Sequence, residues 1–204
     1  MARSDVQLML GVKAGDDASF ELLLAKYRTP LVHFLFRMVR DAATAEDLAQ
    51  EVFLRVYRAR KKYAPSAKFT TWLFRIATNL ALNAIRDSRN EKMGISIDGP
   101  AGAGGGAGGA DGGQPRMDVP DKRPGLVERM MERDRAAVIK RAILALPEKQ
   151  RAAVLLHKYH DLDYDEIASI LDCSESALKS LLFRAYETLR VELAPLVAGE
   201  GKNL

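Results

Sequence analysis

A basic stretch in the first half of the chain, residues 52–86, combines two kinds of side chain that suit single-stranded nucleic acid. It contains no acidic residue, and its cations alternate with aromatic rings: Arg55, Arg58, Arg60, Lys61, Lys62, Lys68, Arg75 and Arg86 among Phe53, Tyr57, Tyr63, Phe69, Trp72 and Phe74. Cations follow the phosphates of a strand, and rings stack on its unpaired bases. The alternative is a solvated basic face whose rings lie in the core, and the charges alone leave both interpretations open.

A second candidate surface lies on a helix predicted from Glu175 to about Leu193. Its apolar face holds Leu178, Leu181, Leu182, Ala185 and Leu189, and its opposite face holds Ser176, Lys179, Ser180, Phe183, Arg184 and Glu187. Phe183 therefore points away from the core, among cations. In a DNA major groove such a ring can contact a thymine methyl while Lys or Arg reaches guanine or phosphate. The alternative is a surface helix with one stray phenylalanine.

The residues before this helix form a helix-turn-helix pattern. Asp163 and Glu166 resemble a capping box for a short helix over residues 164–171, which buries Ile167, Ala168 and Leu171. Residues 172–174 are a tight break in which Ser174 can cap the next helix. A short helix, a tight turn and a longer helix together favour DNA binding.

A third surface is the outer strip of a helix predicted from near Thr44 to Arg60. Asp47, Gln50, Glu51, Leu54 and Arg58 share this strip, opposite a buried stripe that includes Leu48, Val52 and Val56. An apolar residue within a polar strip suits a partner helix. The alternative is a solvated helix with a stray leucine.

These segments predict an all-α fold, because apolar residues in both halves recur at i, i+3, i+4 and i+7 and no sustained period-two pattern occurs. Thr29 and Pro30 predict a break between two helices, with Thr29 as N-cap and Pro30 at the first helical position. A loop over residues 61–68 precedes a helix at about 70–88. Another helix begins with Pro147 at its first position.

The composition divides the chain into two small helical domains joined by a flexible linker. Residues 99–113 hold nine of the fifteen glycines, and such a segment has too much backbone entropy to lose on packing. We therefore expect domains at residues 1–92 and 125–204, with a linker at 93–124. The basic excess lies in the first domain, where residues 1–90 carry 15 Lys and Arg against 9 Asp and Glu.

Enzyme, metal and membrane chemistry find little support in the sequence. The single cysteine, Cys173, cannot form an intrachain disulfide or a cysteine-based zinc site, and His157 and His160 lack further ligands at a suitable spacing. No nucleophile elbow or phosphate-binding loop is present. No apolar run approaches the length of a membrane span, and the first residues do not resemble a signal peptide. We expect a cytoplasmic, non-enzymatic protein that has no cofactor and does not insert into a membrane.

Three motifs in order resemble those of bacterial sigma factors of the extracytoplasmic-function class. Residues 47–58, DLAQEVFLRVYR, look like the motif that binds core RNA polymerase. Residues 69–79, FTTWLFRIATN, look like the promoter-melting helix, and residues 146–190 are similar to the domain that reads the −35 element. The resemblance covers about 150 of the 204 residues. It implies core RNA polymerase and promoter DNA as partners, together with an anti-sigma factor.

The resemblance also implies a role for each set of residues. Core polymerase would contact Asp47, Gln50, Glu51, Leu54, Arg55 and Arg58. The −10 element would contact Lys61, Lys62, Tyr63, Ser66, Lys68, Phe69, Trp72, Arg75 and Asn79, with a flipped base captured by the 61–68 loop. The −35 element would contact Ser176, Lys179, Ser180, Phe183 and Arg184.

Two features depart from the family pattern. Leu181 and Tyr186 stand where many relatives carry arginine, which leaves the −35 sequence open. The linker is longer and richer in glycine than is usual, and the resemblance implies that it threads the polymerase's active-site and RNA-exit channel.

Two alternatives from other classes remain open. A stand-alone helix-turn-helix repressor would bind DNA without polymerase, although no dimerisation helix is evident. A nucleic-acid-processing enzyme would use the basic aromatic stretch, although no clustered carboxylate or metal site accompanies it.

Overall fold

The computed structural model describes residues 3–92, Gly94, 126–160 and 162–200, and these residues form helices and no strand. In chain order the helices are α1 (Asp5–Ala14), α2 (Asp17–Val39), α3 (Ala42–Ala59), α4 (Phe69–Lys92), α5 (Leu126–Ala145), α6 (Glu148–Tyr159), α7 (Tyr164–Leu171) and α8 (Glu175–Glu200). A short 3-10 turn, Arg60–Lys62, follows α3. The all-α prediction is confirmed. The predicted linker lies outside the described residues, apart from Gly94.

The predicted break at Thr29 and Pro30 is wrong, because α2 continues through Pro30 without interruption. Proline removes one helical N–H donor, and a proline inside a helix costs about 3 kcal/mol. The buried face is continuous across that point, since Leu23 and Tyr27 precede it and Leu31 and Phe34 follow it. Each such side chain contributes about 1.5–3 kcal/mol when buried, so their burial outweighs the lost hydrogen bond.

The first domain packs α1, α3 and α4 around α2. Its fully buried side chains come from all four helices: Met9 of α1, Leu31, Phe34 and Leu35 of α2, Val52 and Val56 of α3, and Phe69 and Leu73 of α4. Helix α1, which the sequence analysis did not predict, begins with a capping box between Ser4 and Gln7 and ends at Gly15, whose φ of 96° is in the left-handed region.

The second domain is built from α5 to α8, with Leu155, Leu156, Ile167, Leu178 and Ala185 in its core. Pro147 is the N-cap of α6 rather than its first residue. The helix-turn-helix is confirmed: Asp172 is left-handed at φ 52°, and Ser174 accepts a hydrogen bond of 3.1 Å from the amide of Ala177.

The two domains pack directly against each other. Helix α6 lies against the end of α2, and α7 lies against α4. The guanidinium of Arg151, on α6, is buried and donates a hydrogen bond of 2.7 Å to the carbonyl of Met38, in the last turn of α2. The ring centroids of His160 and of Phe74, on α4, lie 4.2 Å apart. Burial lowers the pKa of Arg151, yet a cation at a helix C-terminus is favourably placed for the free carbonyls there.

Candidate nucleic-acid interface

The side chains assigned to the −35 element form one exposed surface on α8. Ser176, Lys179, Ser180, Phe183 and Arg184 line the same shallow depression. Phe183 is 68% exposed, whereas Leu178 and Ala185 on the opposite side of the helix are fully buried. Lys179 pairs with Glu175 at 2.7 Å, and this hydrogen bond raises the pKa of the lysine. The α8 face, defined by these five residues, is therefore free to enter a groove.

Tyr186, one of the two departures from the family pattern, is held within its own domain. Its hydroxyl lies 2.9 Å from Nδ1 of His157, whose ring stacks on that of Tyr164 at 5.3 Å. Tyr186 remains 40% exposed. Tyr186 thus braces α8 against α6 and α7.

The loop after α3 encloses a cavity of about 370 Å³, within the usual range for small-molecule pockets. We call it the base cavity; its walls are Ala59, Lys62, Tyr63, Ala64, Ser66, Ala67, Thr71, Trp72 and Arg75 from the first domain and Ser169 from α7. Lys61, Lys62, Ser66 and Lys68 are exposed around it, as are Arg75 and Asn79 on α4. The lining combines two cations, Lys62 and Arg75, with a half-buried ring, Trp72, and such side chains are the kinds that contact single-stranded nucleic acid.

Phe69 and Tyr63 were predicted to contact DNA, but the structure buries both of them in the first domain. Phe69 is 1% exposed and Tyr63 is 5% exposed, so neither ring presents a face to a strand in this conformation. Tyr63 packs against Trp72 at 5.3 Å, and Phe69 packs against Tyr27 at 5.4 Å. Both rings therefore belong to the core that supports the loop.

Three hydrogen bonds that the sequence did not predict stabilise the loop after α3 and the start of α4. The Nζ of Lys13, on α1, donates a hydrogen bond of 2.7 Å to the carbonyl of Tyr63 and so ties the loop to the first helix. Glu166, on α7, accepts hydrogen bonds from Lys68 at 3.1 Å and from Thr71 at 2.8 Å. The sequence indicated Glu166 only as a helix cap, a role it also fills by accepting from the amide of Asp163 at 3.0 Å.

The outer strip of α3 is accessible. Asp47, Gln50, Leu54, Arg55 and Arg58 are exposed, and Glu51 is half-buried in an ion pair with Arg55. Leu54 is 48% exposed at the edge of an apolar groove between α2 and α3 that also contains Phe20, Leu24 and Phe53. An apolar groove rimmed by charges is a suitable surface for a partner helix.

Metal and membrane sites are not evident in the part of the chain that the structure describes. No group of three or more His, Cys, Asp or Glu side chains is placed to hold a metal ion there. Among the same residues, no helix is both long enough and apolar enough to cross a membrane. His160 contacts Phe34 and Phe74 instead.

Comparison with known proteins places both domains in one family. Residues 23–91 match Sigma-70 region 2, and residues 126–189 match Sigma-70 region 4. The RNA polymerase sigma-H factor of Pseudomonas aeruginosa is 33% identical over 196 residues, which cover 95% of each chain. The ECF RNA polymerase sigma-E factor of Escherichia coli is 29% identical over 194 residues, which cover 95% of this chain and 96% of the relative.

Solved structures share the fold. CnrH, in complex with the cytosolic domain of CnrY, superposes with a TM-score of 0.64 at 18% identity, over 92% of this chain and 96% of CnrH. RpoE of Bartonella quintana, in complex with the anti-sigma factor NepR, gives a TM-score of 0.60 at 21% identity, over 86% and 96% of the two chains.

The chain belongs to the family of bacterial RNA polymerase sigma factors, in their extracytoplasmic-function class. It is a transcription initiation factor that acts with core RNA polymerase at specific promoters.

Proposed function

We propose that each of the three surfaces has one binding role in transcription initiation. The outer strip of α3, including Arg55, binds core polymerase, the α8 face reads the −35 element, and the base cavity with its surrounding cations takes the −10 strand. The observation that supports this proposal is the separation of the surfaces, because each lies on a different part of the protein and presents exposed polar or charged side chains.

Melting follows from binding in this scheme, and no covalent step is involved. Flipping a base out of the duplex costs on the order of a few kcal/mol. Stacking on a ring contributes about 1–3 kcal/mol per base, and phosphate contacts add to it. Trp72 is the half-buried ring at the cavity, and Lys62 and Arg75 are its cationic walls. Trapping one base therefore offsets the cost of exposing it.

The chain is divided at residues 1–92, 93–124 and 125–204 in this proposal. The family matches at 23–91 and 126–189 support this division, since each lies within one of the two domains. The polymerase, rather than the segment at 93–124, fixes the spacing of the two promoter elements in this scheme.

An anti-sigma factor is the further partner that we propose, and the cytoplasm is the place of action. CnrH was solved in complex with the cytosolic domain of CnrY, and RpoE was solved in complex with the anti-sigma factor NepR. The groove between α2 and α3 offers such a partner Leu54, which is 48% exposed at its edge, together with Phe20 and Leu24. An anti-sigma factor seated there would compete with core polymerase.

Transcription with reconstituted holoenzyme tests this assignment. Wild-type protein and core polymerase are given genomic DNA, and the 5′ ends of the transcripts map its promoters. Three variants address one surface each: Leu54→Ala, Arg75→Ala and Phe183→Ala. We expect loss of core binding with the first, loss of opening with the second and loss of −35 recognition with the third. Transcripts from all three at the wild-type level would contradict the assignment.

A further inference from the structure

Carboxylates of the second domain form ion pairs with two cations of the proposed −10 surface, Lys68 and Arg75. Glu166 is 8% exposed and accepts hydrogen bonds from Lys68 at 3.1 Å and Thr71 at 2.8 Å. Asp163 lies 3.5 Å from Lys68, and Asp172 lies 3.8 Å from Arg75. All three acidic residues belong to α7 or its two flanking residues. Three carboxylates thus meet the donors that phosphates of a strand would use.

The same helix forms part of the wall of the base cavity. Ser169 of α7 lines the cavity together with Lys62 and Trp72. Carboxylates and phosphates both take charge-assisted hydrogen bonds from lysine and arginine. A strand that enters along Lys68 and Arg75 therefore has to displace α7 from them.

The other two surfaces remain open while α7 is docked. Phe183 on the α8 face is 68% exposed, and Leu54 on the outer strip of α3 is 48% exposed. The contact between the domains is thus selective, because it engages Lys68, Thr71 and Arg75 of the −10 surface and leaves the polymerase-binding strip accessible.

We propose that α7 is an intramolecular competitor of the −10 strand, whose acidic side chains act as mimics of DNA phosphates. The free chain is closed and binds the strand weakly, and binding to core polymerase draws the domains apart and releases the −10 surface. This inference rests on the proposed role of Lys68, Arg75 and the base cavity.

The test uses a full-length variant that neutralises the competitor, Asp163→Asn/Glu166→Gln/Asp172→Asn. Each substitution keeps the local fold: asparagine serves as an N-cap, glutamine keeps an acceptor for the Asp163 amide, and asparagine tolerates the left-handed conformation at 172. The matched control, Asp134→Asn/Glu187→Gln/Glu192→Gln, makes the same change in net charge at exposed or half-buried positions of α5 and α8 and leaves α7 intact.

The probe is the fluorescein-labelled non-template strand of the −10 region, taken from a promoter mapped with the holoenzyme. Its binding to the free chains is followed by anisotropy. A closed state lowers apparent affinity by the fraction of open molecules. We expect the neutralised variant to bind about tenfold more tightly than wild type, and the control to match wild type within about twofold.

Equal binding by the neutralised variant, the control and wild type would overturn the inference, and so would a gain shared by the variant and its control. Circular dichroism verifies that both variants are folded, and the single substitution Asp172→Asn should give a smaller gain in the same direction. A holoenzyme that maps no promoter would contradict the proposed function itself, which is a separate result. A promoter opened normally while the neutralised free chain still binds no strand would contradict the inference alone.

Discussion

The carboxylate of Glu166 accepts a hydrogen bond of 2.8 Å from the hydroxyl of Thr71, a residue 95 positions earlier in the chain and in the other domain. Both side chains are buried, at 8% and 4% exposure. The bond joins the helix-turn-helix to the proposed promoter-melting helix, and so it couples the two DNA-binding domains in the free protein.

Replacing Thr71 should weaken this coupling. Thr71→Val keeps the shape of the side chain and leaves the Glu166 carboxylate one donor short, which costs about 1–3 kcal/mol for a buried acceptor. We expect a lower free energy of unfolding by chemical denaturation. The matched control is Thr78→Val on the same helix, because the buried Thr78 hydroxyl has no hydrogen-bond partner among the described residues. A loss of stability in the control as large as in Thr71→Val would contradict the prediction.

Acid should open the domains. Burial alone would raise the pKa of Glu166. The hydrogen bonds from Asp163, Thr71 and Lys68 lower this pKa by more than burial raises it, so the net shift is downward. A carboxyl whose pKa is lowered in the closed state stabilises that state above its ordinary pKa, and the contribution is lost as the pH falls through the lowered value. Lys68, whose pKa the Glu166 hydrogen bond raises, stays charged throughout this range.

Resonance energy transfer between dyes on the two domains checks this pH dependence. We expect constant transfer from about pH 7 to about pH 5 and a decrease below that as Glu166 takes up a proton. Glu166→Gln should shift transfer toward the open value at neutral pH and flatten the change. An identical acid transition in this variant would show that other carboxylates are responsible.

Lys13 should position the proposed base-capturing loop from outside it. Lys13→Met removes the 2.7 Å hydrogen bond to the Tyr63 carbonyl and keeps most of the aliphatic side chain. We expect the holoenzyme to open promoters several-fold more slowly, since the loop loses an anchor, with unchanged affinity for core polymerase. Permanganate footprinting measures the opening.

Lys26→Met is the control for Lys13, because it removes a different lysine contact of the first domain, the 2.6 Å ion pair with Asp5 that joins α2 to α1. Lys26 is 55% exposed in that pair, and exposed pairs contribute about 0–1 kcal/mol. Normal opening by Lys13→Met, or an equal defect in both variants, would remove Lys13 from this role.

Phe183 should contribute to −35 recognition without contributing to stability. Phe183→Ala should lower holoenzyme affinity for promoter duplex by about tenfold, since losing recognition of one base pair costs about 1–3 kcal/mol. Because the ring is 68% exposed, the melting temperature should stay close to that of wild type. Val191→Ala, at a 69% exposed apolar residue of the same helix, is the control. Unchanged promoter affinity in Phe183→Ala would show that the ring does not contact the bases of the −35 element.

Local patterns predicted most of the helices and the three surfaces. Amphipathic spacing placed Phe183 and Leu54 outside the core, and both are exposed. The capping box at Asp163 and Glu166 is present. Such features are encoded within a few residues, which is why they can be read from one sequence.

Features that depend on distant contacts could not be read in this way. Pro30 continues a helix because the packing of α2 outweighs a local signal, and Phe69 is buried by Tyr27 rather than presented to a strand. The docking of α7 on α4 joins residues about 95 positions apart across a glycine-rich segment. No periodicity in either helix indicates which partner it meets.

Binding to core RNA polymerase tests the central claim most directly. Wild type, the strip variant Gln50→Ala/Leu54→Ala/Arg58→Ala and a control are each titrated against purified core enzyme. The control, Leu10→Ala/Asn83→Ala/Arg86→Ala, removes an exposed leucine, amide and arginine from α1 and α4. We expect stoichiometric binding of wild type and control, and loss of binding in the strip variant. Equal binding by all three would contradict the claim, and failure of folded wild type to bind core polymerase while binding DNA alone would favour a repressor.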